Sequence, residues 1–132
     1  MTAYDLMPPG RIVPFAMLSG PSSHRSDVVN TDAHGFRWTT VEDQTWTTEK
    51  VEGLRHVGVI VGGSTVFGVG STGDTTTLSS YLARAQGSPW LNLGVRGGVS
   101  FSELVHTLRC NNWCIQPGGR REKSGTGVKS ER

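Results

Sequence analysis

The stretch Val57-Gly58-Val59-Ile60-Val61-Gly62-Gly63-Ser64-Thr65-Val66-Phe67-Gly68 constrains this chain more than any other. A short apolar run bounded by glycines suits a buried strand of a parallel sheet. The loop past the carboxyl end of such a strand is where open α/β sheets place their reacting groups. Ser64 stands at that turn and is the first candidate for chemistry. An ordinary helix cap after a strand is the competing role for a serine in this position.

The residues beyond Gly73 support an α/β fold. Asp74 is placed to cap a helix, and Leu78, Tyr81, Leu82 and Ala85 fall at i, i+3, i+4 and i+7. Gly87 then occupies the usual C-cap position, and Pro89 prevents the helix from continuing. The spacing predicts an amphipathic helix with those four residues inward. Trp90-Leu91-Asn92-Leu93-Gly94-Val95 reads as a second strand, and Arg96-Gly97-Gly98 as a turn. Ser100-Phe101-Ser102-Glu103 forms a capping box, with Phe101, Leu104, Val105 and Leu108 on one face of a second helix. The order is βαβα with a right-handed crossover, the start of a parallel sheet with helices packed on it.

The flanks are less regular. Residues 1–53 read as an irregular, extended lead-in with little helix, broken at Met7-Pro8-Pro9-Gly10 and Ser19-Gly20-Pro21. Within it, Asn30 to Trp38 predicts a turn and a short strand. Thr39 to Lys50 predicts a loop or an exposed edge strand. Residues 54–109 form the α/β unit, and residues 110–132 read as a disordered basic tail. A parallel sheet of two strands leaves strand edges and apolar helix faces uncovered, which favours self-association.

Charge and composition exclude several classes. The net charge is +2, and Arg120, Arg121, Lys123, Lys129 and Arg132 cluster in the tail, so no nucleic-acid partner is expected. No run approaches the ~20 apolar residues of a membrane span. Ile12 to Leu18 is apolar but interrupted by Pro14, and Asp5 sits where a signal peptide would be basic, so a soluble chain without targeting is expected. Cys110, Cys114 and His106 could share a helix face, but a fourth zinc ligand is absent and no metal is expected. Gly68-Val69-Gly70-Ser71-Thr72-Gly73 matches G-x-G-x-x-G, yet begins seven residues after the strand and lacks an acidic partner near twenty positions on. No cofactor is expected, and a nucleotide-binding loop stays as a lesser alternative.

A serine nucleophile needs a base and donors aimed at the developing oxyanion. The backbone N–H groups of Ser64 and Gly97 lie on loops leaving the same ends of neighbouring parallel strands, and would face one crevice. The G-x-S-x-G elbow is not met, because Val66 stands where its last glycine belongs.

Gly62-Gly63-Ser64-Thr65-Val66-Phe67-Gly68 followed by Trp90-Leu91-Asn92-Leu93-Gly94-Val95-Arg96-Gly97 resembles the first two sequence blocks of the SGNH, or GDSL-type, hydrolases. Asn30 to Arg37, with its Gly-Phe-Arg, is similar to the lead-in of some members. The resemblance covers roughly residues 30–109. It implies a flavodoxin-like α/β/α domain that cleaves esters, often acyl groups on sugars or lipids. Ser64 would be the nucleophile, Ser64 and Gly97 would form part of the oxyanion hole, and Thr65 and Arg96 would border the pocket.

The departures are specific. Gly63 replaces the usual aspartate, and neither the Gly-x-Asn-Asp block nor the Asp-x-x-His block occurs. None of His24, His34, His56 and His106 has an aspartate three residues before it. The expectation is an N-terminal piece of such a hydrolase, cut short by truncation, a frameshift or a gene-model error and inactive as it stands. A non-catalytic remnant or interaction protein is the alternative.

Overall fold

The computed structural model describes residues 3–13, 17–97, 104, 105, 107 and 108. Among these described residues, three two-stranded sheets, two short α-helices and helical positions at 104, 105, 107 and 108 make up a mixed α/β fold. Strands β1 (Arg11–Val13) and β2 (Met17–Ser19) pair antiparallel, as do β3 (Thr39–Val41) and β4 (Gln44–Trp46). The β3–β4 turn has only Glu42 and Asp43 at its tip, with Glu42 at φ 51°. Positive φ at the first turn residue matches the twist of a tight hairpin, and the flanking threonines and valine suit the pleat.

Strands β5 (Gly58–Gly62) and β6 (Trp90–Gly94) pair in parallel, Gly58 beside Trp90 through Gly62 beside Gly94. Parallel neighbours need a long crossover. Here it consists of α1 (Ser64–Phe67), a 3-10 turn at Asp74–Thr76 and α2 (Leu78–Gln86). Both expected strands and the Gly87 stop occur, the glycine at φ 61°. Leu104, Val105, Thr107 and Leu108 are helical, with both leucines exposed. Gly98, the Ser100–Glu103 capping box, His106, Cys110, Cys114 and the basic tail lie outside the described residues.

Alternation along β6 divides its two faces. Leu91 and Leu93 point into a core with Phe36 and Val51, against which Trp46, Val57, Val59 and Val61 pack. A second cluster joins Met7, Val29 and Phe67. The first 53 residues therefore supply both hairpins and half of each core cluster or more, beyond the role of an extended lead-in.

Three of the four residues of the predicted inner face of α2 are exposed, and only Leu82 is half-buried. Ser79, Ser80 and Ala83 are buried, whereas Leu78 and Tyr81 are 43% and 53% exposed and Ala85 is exposed. The cause is polar. Asn92 is 1% exposed on the helix-facing side of β6, and a buried amide must find partners. Its Nδ2 lies 3.2 Å from Ser79 Oγ, while Ser80 Oγ accepts from Thr40 N–H at 3.0 Å and donates to the Asp74 carbonyl at 2.6 Å. Small hydroxyl side chains satisfy these groups where leucine and tyrosine would strand them. The N-cap also differs: Thr77, rather than Asp74, accepts from Ser80 N–H.

Candidate functional site

Ser64 follows β5 directly. Gly63 is the N-cap of α1, without a side-chain cap bond, and Ser64 is the first helical residue. The capping role considered for this serine thus falls to its neighbour. Its carbonyl accepts from the N–H groups of Gly68 and Val69, each at 3.0 Å, while its hydroxyl is exposed and has no hydrogen-bond partner among the described residues. The Ser64 N–H is in the first turn and has no carbonyl within the helix to bond. The fold holds the backbone and leaves the hydroxyl unused.

The seat of α1 is tight. A Cβ on Gly94 would fall inside contact distance of the Phe67 backbone, so only glycine lets the helix lie this close to β6. Asn92 locks it there, its Nδ2 donating to the Val66 carbonyl at 2.7 Å and its Oδ1 accepting from Gly94 N–H at 2.9 Å. The asparagine that carries part of the family resemblance is thus structural in its contacts.

The strands stay in register past their ends, with Val95 N–H donating to the Gly62 carbonyl at 3.0 Å. Ser64 and Gly97 therefore leave adjacent strands at the same end of the sheet. Gly97 is exposed at φ 70°, a left-handed conformation that favours glycine. Arg96 Nη1 donates to the Tyr4 carbonyl at 2.9 Å, and a small cleft of about 90 Å³ lies between Arg96 and Ser19-Gly20-Pro21.

Behind α1 lies a residue whose role the sequence does not reveal. Arg37 is buried at 2% exposure, and every nitrogen of its guanidinium donates within the protein. Nε bonds Asp74 Oδ1 at 2.9 Å and Nη2 the Val28 carbonyl at 2.8 Å. Nη1 bonds the Gly68 and Phe67 carbonyls at 2.8 and 3.2 Å and Tyr4 Oη at 3.0 Å. Tyr4 Oη in turn lies 2.7 Å from the carbonyls of both Gly68 and Ser71, its single proton serving one at a time. The Gly68–Gly73 loop is held by its carbonyls. Gly68 closes the C-terminal end of α1, so the glycines do not form the strand–turn–helix cradle that presents N–H groups to phosphate.

Asp32, His34 and Glu49 bring their ligand atoms within 4.8 Å of one another. Asp32 is already committed: Oδ1 accepts from His34 and Phe36 N–H at 3.0 and 2.9 Å, and Oδ2 from Thr48 N–H and Oγ1 at 3.2 and 2.7 Å. These bonds build the Asp32–Phe36 turn. Burial raises the Asp32 pKa, although the bonds from Thr48 and Phe36 oppose it. For Glu49 burial acts upward too, but hydrogen bonds from Thr47 and the backbone prevail and lower its pKa.

The structure thus brings Ser64, Thr65, Arg96 and Gly97 to one end of β5 and β6, and it pairs no histidine with Ser64 among the described residues. No described helix is long and apolar enough to cross a membrane. Comparison with models of known protein families and with curated proteins gives no match for this chain.

Proposed function

We propose that the chain carries the nucleophile end of a serine ester hydrolase of the SGNH, or GDSL, type, on a flavodoxin-like α/β/α plan. Ser64 Oγ attacks the ester carbonyl carbon, and the N–H groups of Ser64 and Gly97 receive the developing oxyanion. The substrate is a small-molecule or carbohydrate ester. One observation supports this reading above the others: Ser64 is an exposed hydroxyl at the carboxyl end of a parallel strand, engaged by no other described group, on a helix that Asn92 and Gly94 seat tightly.

The serine proton must go to a base before the alkoxide can attack. With neither an Asp-x-x-His nor a Gly-x-Asn-Asp block in the sequence, this polypeptide alone lacks a contribution typically worth ~10²–10⁴-fold. Its turnover is therefore slow or absent while the nucleophile's position remains. The surface apolar residues make self-association the accompanying expectation.

A fluorophosphonate probe tests the nucleophile without requiring turnover, with excess imidazole in solution supplying the base that the polypeptide alone lacks. Labelling of folded protein at Ser64, abolished by Ser64→Ala, is the expected result. Folded protein that takes up no label overturns the proposal.

A further inference from the structure

Arg96 is half-buried just past the end of β6, and its Nη1 donates to the Tyr4 carbonyl at 2.9 Å. Among the described residues its Nε and Nη2 have no acceptor, and no carboxylate pairs with it. These two nitrogens share the edge of a guanidinium that takes a carboxylate by two parallel hydrogen bonds. A cation partly withdrawn from water without a countercharge favours an anionic ligand.

The cleft beside Arg96, about 90 Å³, has walls from Ser19-Gly20-Pro21, Phe67 and Val95, and Arg96 alone among its lining residues is charged. Phe67 and Val95 are 1% and 3% exposed, so one side is apolar. Liquid water takes ~30 Å³ per molecule, so the cleft admits a ligand of about three or four non-hydrogen atoms. The far wall is fixed beforehand. Ser19 Oγ donates to the His34 carbonyl at 2.7 Å, and Gly20 packs too closely on the Gly35 carbonyl to carry a Cβ. Walls set before binding lower the entropy lost when a ligand arrives.

We propose that this cleft binds a small aliphatic carboxylate, of acetate or propionate size, with its oxygens on Arg96 and its alkyl group toward Phe67 and Val95. Charge, volume and the apolar wall select together. A sugar ring or fatty chain exceeds the space, and inorganic phosphate leaves the apolar side unused. The cleft also lies at the reacting end of the sheet: Val95 N–H bonds the Gly62 carbonyl, and Phe67 ends the helix that Ser64 begins. The bound carboxylate is thus the acid released from a short acyl ester. That link rests on the ester-hydrolase proposal, and the binding does not.

The test is a titration of the isotopically labelled full chain with sodium acetate, acetamide and sodium phosphate at matched ionic strength, followed by backbone amide shifts. Acetate should give saturable shifts at Gly20, Val95 and Arg96 in the millimolar range, and acetamide, which lacks the charge, should bind at least about tenfold more weakly. Arg96→Met should weaken acetate binding by about tenfold or more, and Arg96→Lys, which keeps charge without the two-nitrogen edge, by less. The ligand series on the parent protein decides the matter even where a variant folds poorly. No saturable shift with acetate, or equal affinity for acetamide or phosphate, overturns the inference. Acetate binding by a protein that takes up no fluorophosphonate keeps it while removing the hydrolase. Where Ser64 does label, saturating acetate should slow the labelling, and an unchanged rate overturns the placement of the acid beside the serine.

Discussion

Arg37 Nε donates to Asp74 Oδ1 at 2.9 Å, and the two side chains are 0% and 8% exposed. This pair joins the amino-terminal segment to the crossover between β5 and β6. Asp74 is further held by Asn30, whose Nδ2 donates to Oδ2 at 2.7 Å. A buried pair offsets its desolvation only with such additional bonds, and removing one partner leaves the other uncompensated.

Arg37→Met should therefore cost about 3–5 kcal/mol, a large part of the stability of a domain this size. The carbonyls of Val28, Phe67 and Gly68 also lose a donor. Chemical denaturation checks it, with Arg84→Met, an exposed arginine, expected within about 0.5 kcal/mol of the parent. Equal effects of the two substitutions would contradict the assigned role of Arg37.

The seat of α1 gives a prediction that connects stability to reactivity. Gly94→Ala should destabilise by about 1–3 kcal/mol and displace α1, because the added methyl meets backbone that has nowhere to move without the helix. Asn92→Ala should cost about 1–3 kcal/mol by leaving the Val66 carbonyl and Gly94 N–H without partners. Both variants should label more slowly with fluorophosphonate under conditions where they remain folded. Unchanged labelling rates would mean that the α1 position does not govern Ser64.

The pH dependence originates at Asp32. Burial raises its pKa in the fold, so the folded state holds the proton more strongly than the unfolded chain. Stability falls as pH rises from the ordinary aspartate pKa through the raised folded value, then levels off. Glu49 has the opposite sign, its lowered pKa adding stability that is lost as pH falls through the folded value, in a range below the ordinary glutamate pKa. Unfolding free energies measured across the acid range should show the Asp32 slope in the parent and not in Asp32→Asn. A slope of the same size in that variant would rule out Asp32 as its source.

The regular elements around the candidate site were legible because their signals are local. Glycine-bounded apolar runs marked β5 and β6, and a glycine followed by proline marked the end of α2. Ser64 was legible for the same reason, since its position at the end of a strand is a matter of chain order. Asp74 in sequence fits two roles, a cap before a helical period and an ion-pair partner. Its ion pair with Arg37, thirty-seven residues away, decided between them.

For β5, β6 and the end of α2 the sequence alone determined where the elements lie, because apolar runs, glycine and proline act on the backbone within a few residues, whereas the two hairpins of the first 53 residues carry no such signal. Tertiary structure decided which face of α2 is buried. The period pointed to Leu78, Tyr81, Leu82 and Ala85, but the amide of Asn92 is enclosed by β6 and the helices and must be bonded there. Meeting that requirement turned Ser79 inward, the Thr40 N–H and Asp74 carbonyl did the same for Ser80, and Leu78 and Tyr81 were left exposed. Hydrogen-bond satisfaction between segments distant in sequence outweighed the periodicity of one helix, and no local pattern records that balance.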